Sequence, residues 1–322
     1  MAKRIFKQDE FKETGFGNRV IESNQRMMNK DGKSNVRRTG LLYYSISNVY
    51  HLLISIKWWK FLSIIFFSYF LLNLFFTSLY FIGDLSHLNG MMYTTPLEKF
   101  MEVFYFSAQS LTTVGYGRLN PSGYFFSTLA SIEAFVGLLS FAIATGLLYG
   151  RFSRPVANIL FSNIGVIAPY QGITAFMIRL ANMNKSELIN LEATLLLAYI
   201  QDIEGKVTRK FVPLKLELTR INLLTMTWTL VHPIDEESPM LYWTKEEFQN
   251  NQVEFLVLIQ AYEETFAQTV HSRSSYKFEE IVFGAKFDPI TKPGENGSVI
   301  VELNRINDHI LTGLGPEATD AN

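Results

Sequence analysis

Two long apolar stretches dominate the pattern of hydrophobic and polar positions in this chain. The first runs from Trp58 to Ile82 and carries no charge between Lys60 and Asp84. The second runs from about Tyr124 to Tyr149 and contains one ionisable residue, Glu133. Each has the roughly 20 apolar residues that a helix needs to cross a bilayer. The pattern therefore predicts two transmembrane helices.

Two shorter helices are predicted beside these spans. Between Ser47 and Lys57, apolar residues recur at i, i+3, i+4 and i+7, which indicates a helix that lies in the membrane interface and is too short to span. The segment fits equally a lever that senses the membrane and a simple anchor. A second helix is predicted at about residues 97–111, because Pro96 is suited to the first helical position.

After residue 154 the apolar period becomes alternating. Apolar and polar residues alternate at 214–219 and 225–230, and further strand-like runs are 193–200, 254–260 and 298–303. Alternation is typical of half-buried strands, and many strands with few helical periods predict an all-β, immunoglobulin-like sandwich.

These patterns divide the chain into five segments. Residues 1–36 are polar and charged without a sustained apolar period, which predicts a disordered tail. The glycines at 15 and 17 lack the third glycine and the preceding strand of a nucleotide-binding loop. The remaining segments are a linker with the interfacial helix (37–57), a transmembrane domain (58–154), the β-sandwich (155–311) and a C-terminal tail (312–322).

A short polar run separates the predicted helix at 97–111 from the second span. It consists of Thr112, Thr113, Val114, Gly115, Tyr116 and Gly117. Stacked rings of backbone carbonyls from such strands replace the water shell of a potassium ion. Gly115 and Gly117 can adopt the left-handed dihedrals that turn successive carbonyls inward. Between two spans, the run predicts a potassium selectivity filter.

The second span carries candidate gating residues. Phe141, Thr145 and Tyr149 recur every fourth residue, so four copies of this face could close a pore by excluding water; the alternative is that they face lipid or a neighbouring helix. At Gly137 and Gly146 the helix can bend or approach a neighbour closely, and both are candidate hinges.

Charged residues near the membrane indicate orientation and internal contacts. Glu133 is costly in hydrocarbon, so it should either brace the back of the filter or add negative field to a cavity. Lysine and arginine are dense before the first span and resume after the second, which predicts that both termini are cytoplasmic. The candidate residues for the lipid interface are Lys57, Trp58, Lys60, Arg151 and Arg154.

Composition excludes several other functions. The formal net charge is −1, so a nucleic-acid partner is not implied, and the absence of cysteine excludes a disulfide-stapled domain. The sequence offers no local Ser-His-Asp grouping, no metal-ligand spacing and no phosphate loop. We therefore expect neither an enzyme nor a cofactor, apart from potassium ions in the pore.

Taken together, the chain resembles the inward-rectifier potassium channel family, in particular its prokaryotic branch. Besides the filter, the motifs that carry the resemblance lie at residues 151–155, 177–182, 232–239, 271–276 and 279–281. The resemblance implies a homotetramer in the inner cell membrane, with the β-sandwich domains forming a cytoplasmic vestibule. It also implies a cytoplasmic constriction at Tyr262, Phe266, Ala267 and Gln268.

The chain departs from eukaryotic members in three ways. The cysteine pair that brackets their pore loop is absent, and Gln109 replaces their carboxylate behind the filter, so other contacts must brace the filter. Residues 156–158 replace the basic cluster through which phosphoinositides activate those channels. Anionic lipids or phosphoinositides remain expected partners, with activation and inhibition both open.

The sequence thus predicts a potassium-selective tetrameric channel that is gated at the inner helix ends and the cytoplasmic domain and modulated by lipid. One alternative is a membrane-tethered β-sandwich binding module with a non-conducting pore. Another is a channel gated by a nucleotide-binding domain, which the missing glycine fingerprint disfavours.

Overall fold

The computed structural model describes residues 26–36, 40, 46–153, 157–184, 186–203 and 206–313. These residues belong to two compact units, one made of 1–39 with 155–322 and one made of 40–154. The predictions made for residues 1–25, for Arg154 and for residues 314–322 lie outside the described part of the chain.

The membrane unit contains four helices, which are α1 (Ile46–Ser55), α2 (Trp58–Tyr80), α3 (Pro96–Leu111) and α4 (Gly123–Phe152). Within the described residues, α2 and α4 are long and apolar enough to cross a membrane. Both predicted spans are therefore confirmed as helices, and α4 extends about a turn beyond its predicted inner end.

Local sequence explains where α3 begins. The Thr95 hydroxyl accepts a hydrogen bond from the Glu98 amide, and the Glu98 carboxylate accepts one from the Thr95 amide. This reciprocal capping box, with Pro96 at the first helical position, satisfies amides that have no partner inside the helix. The helix ends at Leu111, directly before the filter run.

Aromatic residues hold α3 against both spanning helices. The Tyr80 ring of α2 lies 5.3 Å from Phe106 of α3 and 5.6 Å from Phe126 of α4, measured between ring centroids. All three rings are buried. Packing of this kind fixes α3 relative to α4 and so fixes the two ends of the filter run.

A small antiparallel ladder also links the two ends of the pore loop. Strand β1 (Leu88–Asn89) precedes α3 and pairs with β2 (Asn120–Pro121), which follows the filter. The Asn89 amide donates a hydrogen bond of 3.2 Å to the Asn120 side-chain oxygen. This link, which joins the two ends of the loop by backbone hydrogen bonds, was not predicted from the hydrophobic pattern.

The β-rich unit is a two-sheet sandwich, as predicted. Its strands are β3 (Ile159–Phe161), β4 (Gly165–Tyr170), β5 (Ile173–Asn182), β6 (Leu188–Ile203), β7 (Lys206–Leu214), β8 (Arg220–Leu223), β9 (Thr227–Ile234), β10 (Glu254–Glu263), β11 (Gln268–Lys277), β12 (Ile281–Phe283), β13 (Ala285–Phe287), β14 (Thr291–Pro293), β15 (Val299–Val301) and β16 (His309–Leu311), with a short helix α5 (Lys245–Asn250).

The first sheet has the order β11-β10-β6-β7, with β8 on β6, and the second has the order β12-β4-β5-β3, with β9 on β5. Apolar side chains from both sheets form a shared core, in which the Phe176 and Phe255 rings stack 3.8 Å apart. Strand pairs β13–β16 and β14–β15 form separate two-stranded ladders.

The strand predicted at residues 214–219 is not formed, because only its first residue belongs to a strand. Strand β7 ends at Leu214, and although Leu216 is buried, Leu218 is 57% exposed. The Glu217 amide donates to the Val231 carbonyl, but residues 215–219 form no continuous ladder. The alternating pattern therefore predicted burial correctly at Leu214 and Leu216 and wrongly at Leu218. Whether such a segment forms a strand depends on pairing partners elsewhere in the chain, which the local pattern does not specify.

Residues 26–36, which we name the N-terminal hairpin, are ordered against the sandwich. Gly32 adopts a φ of 76°, and the turn brings Met28 opposite Ser34. The Met28 side chain is buried against apolar residues of β6, β7 and β10. The prediction of a disordered tail is wrong for this segment, because contacts distant in sequence supply the order that local periodicity does not.

Two carboxylates hold the N-terminal hairpin in place. Glu254, which is fully buried, accepts hydrogen bonds from the amides of Met27 at 3.0 Å and Met28 at 3.3 Å. Arg26 forms an ion pair of 2.7 Å with Glu280. These contacts span more than 220 residues of sequence, so they are formed only in the folded unit.

His232 is a buried histidine held by two defined hydrogen bonds. Its Nδ1 lies 2.6 Å from the Lys215 carbonyl oxygen and must donate to it, so Nε2 accepts from the Ser238 hydroxyl at 2.9 Å. Burial lowers the pKa of His232, against the raising effects of the Lys215 carbonyl and Asp235. The folded protein therefore holds the ring neutral.

Acid should accordingly destabilise the sandwich through His232. The pKa of His232 in the folded protein lies below its unfolded value of about 6.5. The contribution of His232 to the free energy of unfolding is therefore fully present above pH 6.5, and it declines at lower pH by up to about 1.4 kcal/mol per pH unit. Thermal unfolding of the full chain in detergent at pH 7.5 and 5.5 measures this. His232→Gln should show a smaller loss between the two values; an equal loss in both proteins would contradict the assignment.

Candidate pore and selectivity filter

The filter run adopts alternating backbone handedness. Thr113, Gly115 and Gly117 have φ values of 60°, 51° and 82°, whereas the residues between them keep negative φ. Alternation of this kind turns successive carbonyl oxygens toward one side of the strand, which is what a row of ion ligands requires. Positive φ at the two glycines agrees with the sequence prediction, and positive φ at Thr113 was not foreseen.

The inner end of the filter is anchored on the last turn of α3. The Gln109 carbonyl accepts hydrogen bonds from the Val114 amide at 2.9 Å and the Gly115 amide at 3.4 Å. The Thr112 hydroxyl donates to the Ala108 carbonyl at 2.7 Å. Gln109 therefore contributes to the filter through its backbone, at the position where a carboxylate had been noted as missing.

Filter side chains are unpacked on the single chain. Tyr116 is 81% exposed, and Val114 is 53% exposed. Both side chains are therefore largely uncovered in the single chain.

Glu133 joins α2, α3 and α4 of the membrane unit. Its carboxylate on α4 accepts hydrogen bonds from the Tyr80 hydroxyl of α2 at 2.8 Å and from the Ser107 hydroxyl of α3 at 2.5 Å. The side chain is fully buried in the single chain. Of the two roles considered for Glu133, these contacts favour bracing over a charge that faces a cavity.

Replacing Glu133 should separate those two roles. Glu133→Leu leaves the Tyr80 hydroxyl buried without its acceptor, at a cost of about 1–3 kcal/mol, and leaves the Ser107 hydroxyl only the longer bond of 3.2 Å to the Asn73 carbonyl. Glu133→Gln keeps an acceptor oxygen and the shape of the side chain. We expect the thermal stability of the protein in detergent to fall markedly for Leu and little for Gln. If Glu133 instead supplied a negative charge to a cavity, both variants should lose potassium flux equally and keep the thermal stability of the parent.

The two glycines of α4 occupy different surroundings. A Cβ added at Gly137 would lie 1.8 Å from the Leu111 carbonyl oxygen, so this glycine permits direct contact between α4 and the end of α3. A Cβ at Gly146 would meet no atom within 4 Å. Gly137 is thus a position at which two helices approach closely. Helix α4 is continuous through both glycines, and a hinge role at either of them stays a prediction.

The three candidate gating residues lie on an open face of α4. Phe141 and Tyr149 are 73% and 74% exposed, and Thr145 between them is also exposed. Their spacing of four residues places them along one side of the helix. No described residue of the same chain covers this side, which leaves it available to a pore or to lipid.

Arg151 is engaged inside the membrane unit. Its guanidinium donates to the Leu53 carbonyl at 3.2 Å and to the Ile56 carbonyl, both at the end of α1. It also lies 4.4 Å from the centre of the Trp58 ring and 5.2 Å from that of Phe61. In the single chain, both terminal nitrogens of Arg151 thus bind carbonyls at the end of a helix, and a lipid contact for Arg151 stays a prediction.

The other predicted interface residues remain accessible. Lys57, Trp58 and Lys60 are exposed where α1 meets α2. The Lys60 ammonium lies 5.5 Å from the Trp59 ring. A lipid contact at these three residues is compatible with their exposure and stays a prediction.

The predicted cytoplasmic constriction is a tight hairpin. Tyr262 and Gln268 end strands β10 and β11, and Phe266 and Ala267 lie in the turn between them. Ala267 has a φ of 51°, and the buried Glu263 carboxylate accepts the Phe266 amide at 2.8 Å. The turn is therefore well defined, while its role as a constriction stays a prediction.

Comparison with known families agrees with this pore geometry. The transmembrane domain of inward rectifier potassium channels matches residues 28–155, and the C-terminal domain of those channels matches residues 159–314. The chain belongs to the inward rectifier potassium channel family. Potassium conduction, two membrane-spanning helices and a β-rich C-terminal domain are features of this family, and all were predicted from sequence.

Individual relatives include prokaryotic and animal channels. Inward rectifier potassium channel Kirbac3.1 of Paramagnetospirillum magnetotacticum is 35% identical over 88% of this channel and 95% of its own length. G protein-activated inward rectifier potassium channel 2 of Rattus norvegicus is 27% identical over 88% of this channel and 71% of its own length. The sporulation control protein Spo0M of Bacillus subtilis matches with a TM-score of 0.23 and 9% identity over 40% of this channel and 50% of that chain, which is too weak to support an argument.

The hydrogen-bond partners of Glu133 were not predicted from the sequence. Tyr80 and Ser107 lie in apolar helices, and a polar residue in such a helix is a candidate for a functional contact. That signal was present but did not identify Glu133 as the shared acceptor. Nothing in the sequence indicated the contact between Leu111 and Gly137, because Leu111 makes it through its backbone carbonyl.

Proposed function

We propose that this inward rectifier channel is a homotetramer whose filter at residues 112–117 selects potassium. The observation that carries the proposal is the alternating handedness at Thr113, Gly115 and Gly117. Four such strands around one axis form stacked carbonyl rings, each of which replaces water around a dehydrated ion. The exposed Val114 and Tyr116 side chains supply surfaces for contact between copies.

The gate is assigned to the inner half of α4. Four Tyr149 rings converging on the axis would form a narrow apolar constriction that sheds water and stops hydrated ions. Exposure of Phe141, Thr145 and Tyr149 along one face supports this assignment. Lipid acts on the gate through α1, because Arg151 ties the end of that interfacial helix to α4.

Tyr149→Ala should raise the open probability of the channel. Removing the ring widens the constriction and keeps it wet, so liposomes containing the variant should take up potassium faster than those with the parent. Phe152→Ala is a matched control, since Phe152 is also exposed on α4 but its ring contacts the Trp58 ring, with 5.0 Å between centroids. Equal or slower uptake by Tyr149→Ala would assign the ring to lipid or to packing.

The channel is proposed to lie in the cell membrane with both termini in the cytoplasm. Dense basic residues before α2 and Arg151 in the last turn of α4 support this orientation. Anionic lipids, including phosphoinositides, are proposed partners at the exposed Lys57 and Lys60. Whether they activate or inhibit is decided by measuring flux with and without them.

Cation uptake by proteoliposomes tests the proposed function directly. Purified parent protein should conduct potassium, exclude sodium and be blocked by barium. A chain that inserts and assembles but conducts neither ion would favour the alternative of a membrane-tethered binding module. Equal potassium and sodium uptake would overturn the filter assignment.

A further inference from the structure

An ion pair lies beside the outer end of the filter. Arg118 follows Gly117, the last filter residue, and its Nη2 lies 2.5 Å from Oε2 of Glu102 on α3. The Arg118 side chain is 51% exposed, whereas that of Glu102 is 17% exposed. A cation is therefore held at the surface next to the filter, with its counter-charge more deeply placed.

We propose that Arg118 and Glu102 set the electrostatic potential at the outer mouth and so control how fast external potassium reaches the filter. The inference rests on the proposed function, because it takes residues 112–117 as the path of the ion. In the proposed tetramer there are four such pairs. Each pair is neutral, so removing either member changes the charge near the mouth by four units.

The backbone around Arg118 fixes where its charge can be. A Cβ at Gly90 would lie 2.1 Å from the Arg118 carbonyl oxygen, so the two backbones are in direct contact. Two residues later the chain joins β2, which is hydrogen-bonded to β1. Glu102 lies within the helix α3. Both charges are thus carried by elements whose positions are set independently of the ion pair.

Other charged groups of the same region are engaged elsewhere. Asp84 accepts the Ser86 amide, Glu98 caps the start of α3, and the Lys99 ammonium lies 5.3 Å from the Tyr93 ring. Glu102 is therefore the acid that compensates Arg118. Removing Glu102 would leave an uncompensated cation beside the ion path.

We expect the charges of Arg118 and Glu102 to affect the rate at which potassium reaches the filter more than they affect the stability of the fold. An ion pair with one exposed partner contributes little to stability, so its loss should be tolerated. Four uncompensated charges about 10 Å from an arriving cation, in high dielectric and partly screened, change its local concentration about two- to fivefold. The effect should be largest at low ionic strength and small external potassium concentration.

Three variants test the proposal, namely Glu102→Gln, Arg118→Gln and the double variant. Potassium influx into proteoliposomes is measured at low external potassium, with the impermeant cation N-methylglucamine setting ionic strength. We expect influx to fall about two- to fivefold in Glu102→Gln, to rise by a similar factor in Arg118→Gln and to return near the parent in the double variant. All differences should shrink at high ionic strength. Arg118→Lys, which keeps the charge at the same position, is the matched control and should leave influx unchanged.

Other outcomes would overturn the inference. If the pair instead positions the filter, the double variant would be as impaired as Glu102→Gln, and the preference for potassium over sodium would fall in all three. Equal influx in the parent and every variant would show that the charges do not reach the ion path. Failure of the proposed function is distinguishable, because the parent itself would then conduct no potassium.

Discussion

Gly137→Ala is expected to prevent the membrane unit from folding into its native packing. The added Cβ would lie 1.8 Å from the Leu111 carbonyl oxygen and 2.7 Å from its carbonyl carbon. Both are backbone atoms, so no side-chain rotation relieves the overlap, and α4 must separate from α3. Overpacking of a core costs about 1–3 kcal/mol when side chains can adjust, and more is expected here. Size-exclusion profiles and potassium flux of the purified protein report the loss.

Gly146→Ala is the matched control on the same helix. Its Cβ would meet no atom within 4 Å, and alanine favours helix over glycine by up to about 1 kcal/mol. This variant should therefore assemble as well as the parent. If both variants behaved alike, helix flexibility would be the shared property of the two glycines, and the close approach of α4 to Leu111 would not matter.

Gly115→Ala is expected to abolish potassium selectivity while leaving the assembly intact. Gly115 has a φ of 51°, a conformation that costs an alanine roughly 1–2 kcal/mol, and four copies meet around the proposed pore. No atom lies within 4 Å of the added Cβ, so the expected damage comes from the backbone and not from a clash. The ratio of potassium to sodium uptake is the measurement.

Gly172→Ala controls for backbone strain outside the pore. Gly172 has a φ of 86° in the turn between β4 and β5 and is equally free of neighbours within 4 Å. It should lower thermal stability without altering ion preference. An unchanged uptake ratio in Gly115→Ala would remove residues 112–117 from the selectivity filter.

The parts of the fold that depend on local pattern could be predicted from sequence. Residues 58–80 and 123–152 are helices because long apolar runs in a bilayer must satisfy their own backbone hydrogen bonds. The start of α3 follows from Thr95, Pro96 and Glu98, which form a cap within a single turn. Positive φ at Gly115 and Gly117 could be predicted because glycine adopts that conformation without a steric penalty.

The contacts that were missed join residues distant in sequence. Arg151 was predicted to contact lipid because its charge and position fit the membrane surface. Its hydrogen bonds to the carbonyls at the end of α1 were not predicted. Glu133 was recognisable as buried, but its choice of Tyr80 and Ser107 depends on how three helices pack. Partner choice of this kind is a property of tertiary structure, and one sequence does not carry it.

The position of the N-terminal hairpin has a consequence for how the protein is made. Arg26 pairs with Glu280, so the membrane unit is encoded between two parts of one β-rich unit. During synthesis, residues 26–36 leave the ribosome before either span, whereas β10 and β11, against which they pack, emerge after both. The N-terminal hairpin therefore lacks its contacts with β10 and β11 while the two spans enter the bilayer. Biogenesis of the channel should be sensitive to factors that shield this early segment until translation is nearly complete.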